Sequence, residues 1–169
     1  SLSLVLLISY KEQSLLIPGD ITPEAFELIY NGKCEKRFTD YSISQGGRKK
    51  KDWARSTCDQ PILKNLLKNG LTVLLAPHHG LESGYPKFLF DDLGEKKPKL
   101  IVLSDKQHNS GNSGSTHANY QNGIASSGLI HKGEKRLSLS TVKDGHIKII
   151  FYDSSCFTDS SKDLEDLLK

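Results

Sequence analysis

The sequence has no methionine, one tryptophan and three cysteines in 169 residues. Cys34, Cys58 and Cys156 are scattered and form no CxxC pair. Neither a disulfide framework nor a cysteine zinc knuckle is therefore expected, and a reducing compartment, the cytoplasm, is the default. No apolar run approaches the roughly 20 residues that a membrane helix needs, and no charged start with a small-residue cleavage site opens the chain. The missing methionine, with Ser1 at the head of an apolar strand, leads us to expect a segment of a longer polypeptide. The rest of the composition is ordinary for one globular domain, and a net charge of +3 points only weakly to polyanionic partners.

The chain is organised around Leu71-Thr72-Val73-Leu74-Leu75-Ala76-Pro77-His78-His79-Gly80, an apolar run that stops at a proline, two histidines and a glycine. Its β-branched residues predict a buried strand, with the histidines where the chain leaves the sheet. On an extended segment the two side chains would point to opposite sides, one facing a site and the other supporting it. Ser14-Leu15-Leu16-Ile17-Pro18-Gly19-Asp20 has the same form, a strand ending in a carboxylate.

In chain order, residues 2–9 and 14–18 are predicted to form a hairpin, followed by a helix with Thr22 as N-cap, Pro23 at its first position and Asn31-Gly32 at its end. Residues 32–60 show no periodicity and carry Arg48-Lys49-Lys50-Lys51 followed by Trp53 and Arg55. That stretch reads either as a basic arm with a stacking aromatic for nucleic acid or as a solvated loop. Helices are predicted over residues 61–69, 85–93 and 118–126, and a third buried strand over 99–103 ends at Ser104-Asp105. The loop from Lys106 to Thr116, with Asn112 and then His117 before a helix, is either an anion-holding turn or a flexible connection. Residues 137–142 and 147–152 are predicted to close the fold as a hairpin, with His131 and His146 at the surface. A polar tail, 154–169, follows.

Asp20 and the His78-His79 pair are donor types suited to a divalent metal, brought to one sheet edge by two strands. The alternative is structural: Asp20 caps its helix and the histidines hydrogen-bond locally.

The order strand, Pro18-Gly19-Asp20, helix, strand, Ala76-Pro77-His78-His79-Gly80, strand, Ser104-Asp105 resembles the C-terminal half of a metallo-β-lactamase-fold hydrolase. It is most similar to the branch that contains the hydrolase domain of ComEC-type DNA-uptake proteins and the phosphorylcholine esterases. The resemblance covers residues 2–152 in order of elements, and its specific motifs are Gly19-Asp20 and Pro77 to Gly80. It implies an α/β fold, half of an αββα sandwich with a mixed β-sheet and flanking helices, spanning residues 1–153 with a basic insertion at about 32–60. Asp20 would bridge two divalent ions, Zn2+ or Mn2+, and one of His78 and His79 would be a further ligand. Ser104, Asn112 and His117 would bind substrate, although Thr116-His117-Ala118 stands where that branch carries Gly-His-Pro. The His-x-His-x-Asp-His motif of the family is absent. This fits the expectation that an N-terminal half, in the same polypeptide or a partner chain, supplies the other ligands.

The activity implied by the resemblance is metal-dependent hydrolysis, in which two ions activate water and clamp phosphate oxygens. The basic residues Arg48, Lys49, Lys50 and Lys51 make a nucleic-acid phosphodiester the preferred substrate. The alternatives are a small-molecule phosphodiesterase or lactonase, and a metal-free degenerate half that serves as a protein-interaction scaffold.

Overall fold

The structure is a computed structural model that describes residues 4–32, 61–104, 118–121, 127–152 and 156–159. Its centre is a five-stranded mixed sheet in the order β1-β2-β3-β4-β7, with a few short helices. β1 (Leu6–Tyr10) runs antiparallel to β2 (Gln13–Ile17) across a two-residue turn, as the hairpin spacing predicts. β2, β3 (Val73–Leu75), β4 (Leu100–Leu103) and β7 (Ser138–Ser140) are mutually parallel, so all four deliver their C-terminal ends to one edge.

Period-two alternation divides the core between the two faces of this sheet. Leu16, Leu74 and Ile101 lie in one register row. They pack beneath α1 (Pro23–Tyr30), α2 (Ile62–Leu67) and α3 (Lys87–Leu93), with Phe26, Leu67, Leu89 and Phe90 all buried. Tyr120, on the short α4 (Ala118–Gln121), belongs to the same cluster. Leu15, Val73 and Leu100 form the next row and face the other way. They meet Leu139, Ile147, Ile149 and Phe151 in a second apolar cluster. Such continuous apolar runs are what a parallel sheet covered on both faces requires.

The α1 terminus forms as its sequence predicts. Thr22 is the N-cap, its Oγ1 accepting from Ala25 N at 3.4 Å, Pro23 follows at the first position, and Asn31 closes the helix. The end of the chain departs from expectation. Residues 137–142 and 147–152 do not form a hairpin: β7 pairs with β4, while β8 (Lys148–Phe151) pairs with β9 (Cys156–Asp159). Between β7 and β8 lies α5 (Thr141–Asp144), because Ser140 caps it by accepting from Val142 N and Asp144 accepts from Ser140 N at 2.8 Å. Two side chains that satisfy the first turn of a helix outweigh the β propensity of the flanking residues. A further hairpin, β5 (Leu129–His131) with β6 (Glu134–Arg136), precedes β7. His131 lies in it and is 2% exposed, which corrects the surface placement expected for it, whereas His146 is exposed. Among the described residues no helix is long and apolar enough to cross a membrane.

Candidate metal centre

Three turns converge at the C-terminal edge of the sheet: Gly19-Asp20 after β2, Pro77 to Gly80 after β3, and Ser104 after β4. In open parallel sheets this edge is where ligands bind. Gly19, at φ +67, turns the chain so that its carbonyl accepts from His78 N at 3.1 Å, which ties the first turn to the second. The conformation is one that glycine adopts without strain.

The histidines are not extended as alternation along a strand implies. Pro77 opens a kinked turn over Pro77–Gly80, in which both histidines take left-handed backbone angles, φ 48 and 61. Their rings lie 6.4 Å apart, tilted by 48°. Gly80 and Gly84 fit this fold-back closely. A Cβ at Gly80 would collide with Leu103, and one at Gly84 would lie 2.6 Å from His78 Cβ and 2.9 Å from Pro77 O.

His79 is the histidine that turns to Asp20. Its Nε2 lies 3.5 Å from Asp20 Oδ1, and its Nδ1 lies 2.8 Å from Ser104 O. A carbonyl oxygen only accepts, so Nδ1 carries a hydrogen and donates it. In neutral imidazole the lone pair then belongs to Nε2 and faces a carboxylate oxygen. Two accessible acceptors so placed can be bridged by a cation, by a water that donates to both, or by a proton on Nε2 that makes the contact an ion pair. Both side chains are accessible, at 64% for Asp20 and 39% for His79.

His78 is held differently, with Ser83 Oγ 3.2 Å from its Nδ1. Ser83, in the short turn Glu82–Gly84, has no signal in the sequence, since a lone serine after two histidines carries no pattern. Ser104 contributes its backbone carbonyl to His79; the substrate role expected of it is a separate property. Asp20 is not the cap of α1, because Thr22 fills that position. Asn112, His117, Arg48, Lys49, Lys50 and Lys51 lie outside the described residues.

The donor chemistry of Asp20 and His79 fits a divalent metal, and the imidazole with Nδ1–H on a carbonyl is the usual support for a metal-binding histidine. The number of donors does not complete a site. Among the described residues no group of three or more His, Cys, Asp or Glu side chains is placed to hold an ion. Compared with known proteins, the chain matches no family model, no curated protein and no solved structure.

Proposed function

We propose that this edge of the sheet is one side of a metal-dependent hydrolase centre of the metallo-β-lactamase type, acting on phosphodiester bonds of nucleic acid. The observation that carries the proposal is the facing of His79 Nε2 and Asp20 Oδ1, with Nδ1–H fixed on Ser104 O. Asp20 and His79 would hold metal, and the remaining ligands would come from another segment of the polypeptide or a partner chain. When bound, two ions would supply the Lewis acidity that generates hydroxide from water at neutral pH and neutralises charge on the phosphoryl oxygens.

The residues of this chain have defined tasks in that scheme. Asp20 offers two oxygens from a tight turn, a form suited to bridging. The Ser104 carbonyl fixes the His79 tautomer and ring orientation. His78, tethered to Ser83, stands beside them to orient the leaving oxygen. Support for the half-sandwich architecture comes from β1, where Leu6, Ile8 and Tyr10 alternate onto one face and are 42, 41 and 43% exposed. An apolar stripe of that kind is what a missing layer would cover.

The two-donor count favours a second reading, a metal-free scaffold in which Asp20 and protonated His79 form a simple ion pair. Asp20→Asn in the full-length polypeptide separates the two. An exposed ion pair contributes about 0–1 kcal/mol, so the variant should fold with nearly unchanged stability in either case. The hydrolase reading expects loss of at least one bound ion per chain, measured by elemental mass spectrometry, and loss of bis(p-nitrophenyl) phosphate turnover. Wild-type metal content and turnover in the variant would overturn it.

A further inference from the structure

β1 is an outer strand of the sheet, and among the described residues it pairs only with β2. The two-residue turn at Lys11-Glu12 makes Tyr10 and Gln13 a hydrogen-bonded pair, and in an antiparallel ladder such pairs alternate with open ones. Leu6, Ile8 and Tyr10 therefore direct their backbone N–H and C=O groups to β2, while those of Leu7 and Ser9 point out of the sheet. Outer strands are ordinarily blunted by a charged side chain, a proline or a bulge. β1 has none of these: Leu6-Leu7-Ile8-Ser9-Tyr10 is uncharged, and its register with β2 is unbroken along its whole length.

Apolar side chains lie on both sides of this open edge. Val5 and Leu7 pack against the cluster beneath the helices, so Leu6, Ile8 and Tyr10 line the opposite face. On the helix side, Ile62 and Leu66 of α2 are 63 and 60% exposed and lie one turn apart on one flank. Leu66 lines the same surface cavity as Ser9 and Lys11, which sets that flank beside β1. Taking on the order of 200 Å² for a whole large apolar side chain, Leu6, Ile8, Tyr10, Ile62 and Leu66 together expose up to about 500 Å² per copy of the chain. Two copies would reach about the 1,000 Å² that a specific interface needs.

We propose that β1 is the docking edge for a second copy of this chain, the two β1 strands running antiparallel about a two-fold axis at Ile8. That register is self-complementary, as an interface between identical copies must be. Leu7 and Ser9 of one copy exchange backbone hydrogen bonds with Ser9 and Leu7 of the other. Ile8 then meets Ile8 at the closer, non-hydrogen-bonded spacing, and Leu6 meets Tyr10. No like charges oppose one another along the strand, so nothing offsets these apolar cross-strand contacts. The axis stands perpendicular to the sheet, which brings both α2 helices to the same side, with Ile62 and Leu66 of each over the seam. No part of the contact uses Asp20 or His79, so it stands independently of the hydrolase reading, and pairing within the plane leaves the face of β1 open to a further layer.

The test is sedimentation velocity of the full-length protein at loading concentrations of about 1 to 100 μM, which bracket a micromolar dissociation constant. A reversible monomer–dimer equilibrium is expected. Ser9→Pro removes an outward N–H that β2 does not use, and Ile62→Lys/Leu66→Lys sets like charges across the axis on side chains that are already exposed. Each variant should weaken the dimer tenfold or more while circular dichroism of the dilute monomer stays that of wild type, and Asp20→Asn should leave the dissociation constant unchanged. If proline perturbs β1 itself, the helix variant decides. Three results would overturn the proposal: a protein still monomeric at the highest concentration, a folded Ser9→Pro variant that dimerises as wild type does, or equal affinity in Ile62→Lys/Leu66→Lys. The last would leave stacking through the face of β1, which does not involve α2, as the source of any dimer.

Discussion

At the scale of single residues, the informative positions are the two histidines whose backbones occupy the left-handed region. That conformation costs an L-residue about 1–2 kcal/mol, and strain of this kind is retained where the surroundings over-determine it. Here the surroundings are Gly80, closed against Leu103, and Gly84, closed against His78 and Pro77. The sequence marked the histidines as important from the abrupt end of an apolar run. It did not reveal their conformation, because alternation holds only while the chain stays extended and Pro77 has already left the strand. Nor did it identify the Ser104 carbonyl as the partner of His79, since a backbone acceptor leaves no trace in residue identity. Gly84 now yields a prediction. In Gly84→Ala the new methyl would meet backbone and a Cβ, neither of which is the movable end of a side chain. Stability should fall by about 1–3 kcal/mol in urea denaturation. The His78 ring resonances should shift as the turn opens, and unchanged stability and spectra would show that the turn has slack.

At the scale of elements, strands and helices with local signals were legible and those set by distant partners were not. Thr22-Pro23 declares the start of α1, and the runs at 71–76 and 99–103 declare the parallel strands β3 and β4. The order of the sheet and the pairing of β8 with β9 depend on which apolar surface is uncovered, and that is a property of the assembled core. The Ser140 and Asp144 cap of α5 was present in the sequence, yet it was hidden inside what looked like a turn between two strands. A second network ties α1, α2 and α3 together through Asp92, which accepts from Tyr30 OH at 2.6 Å and from Lys64 Nζ at 2.6 Å. The Lys64 bond first, and then the Tyr30 bond, hold the Asp92 carboxyl below its ordinary value, while burial and the same carboxylate push the Tyr30 hydroxyl up. A depressed acid contributes stability above its unfolded pKa and loses it as pH falls through the lower folded value. Asp92→Asn should therefore be destabilising at neutral pH, by about 1 kcal/mol or less because the pair with Lys64 is solvent-screened. Below the folded value of Asp92 the difference from wild type should shrink, since both chains then present a neutral group. Thermal midpoints measured from pH 7 down to pH 2 check this, and a gap that widens on acidification would contradict it.

At the scale of the whole molecule, charge separates the preferred substrate from its rival. The net charge of +3 is small, but Arg48, Lys49, Lys50 and Lys51 concentrate four positive charges in one run. A nucleic-acid hydrolase that grips backbone through these residues must release counterions when it binds, whereas an enzyme for a small ester has few to release. Each phosphate neutralised adds about 0.9 to the slope of log affinity against log salt on duplex DNA. Replacing all four residues with serine takes the net charge from +3 to −1 and should flatten that slope by up to about 3 to 4 if every one contacts a phosphate. Metal content should stay at the wild-type value, because protonated lysine and arginine side chains offer no lone pair to a metal ion. The measurement is duplex affinity by fluorescence anisotropy between 50 and 200 mM salt, about the range over which multi-phosphate binders lose several orders of affinity. A slope unchanged by the replacement would return the run to a solvated surface and leave a small phosphodiester or lactone as the better substrate for the edge built by Asp20 and His79. A flattened slope with turnover of bis(p-nitrophenyl) phosphate intact would instead place the four charges in substrate capture, apart from the chemistry at that edge.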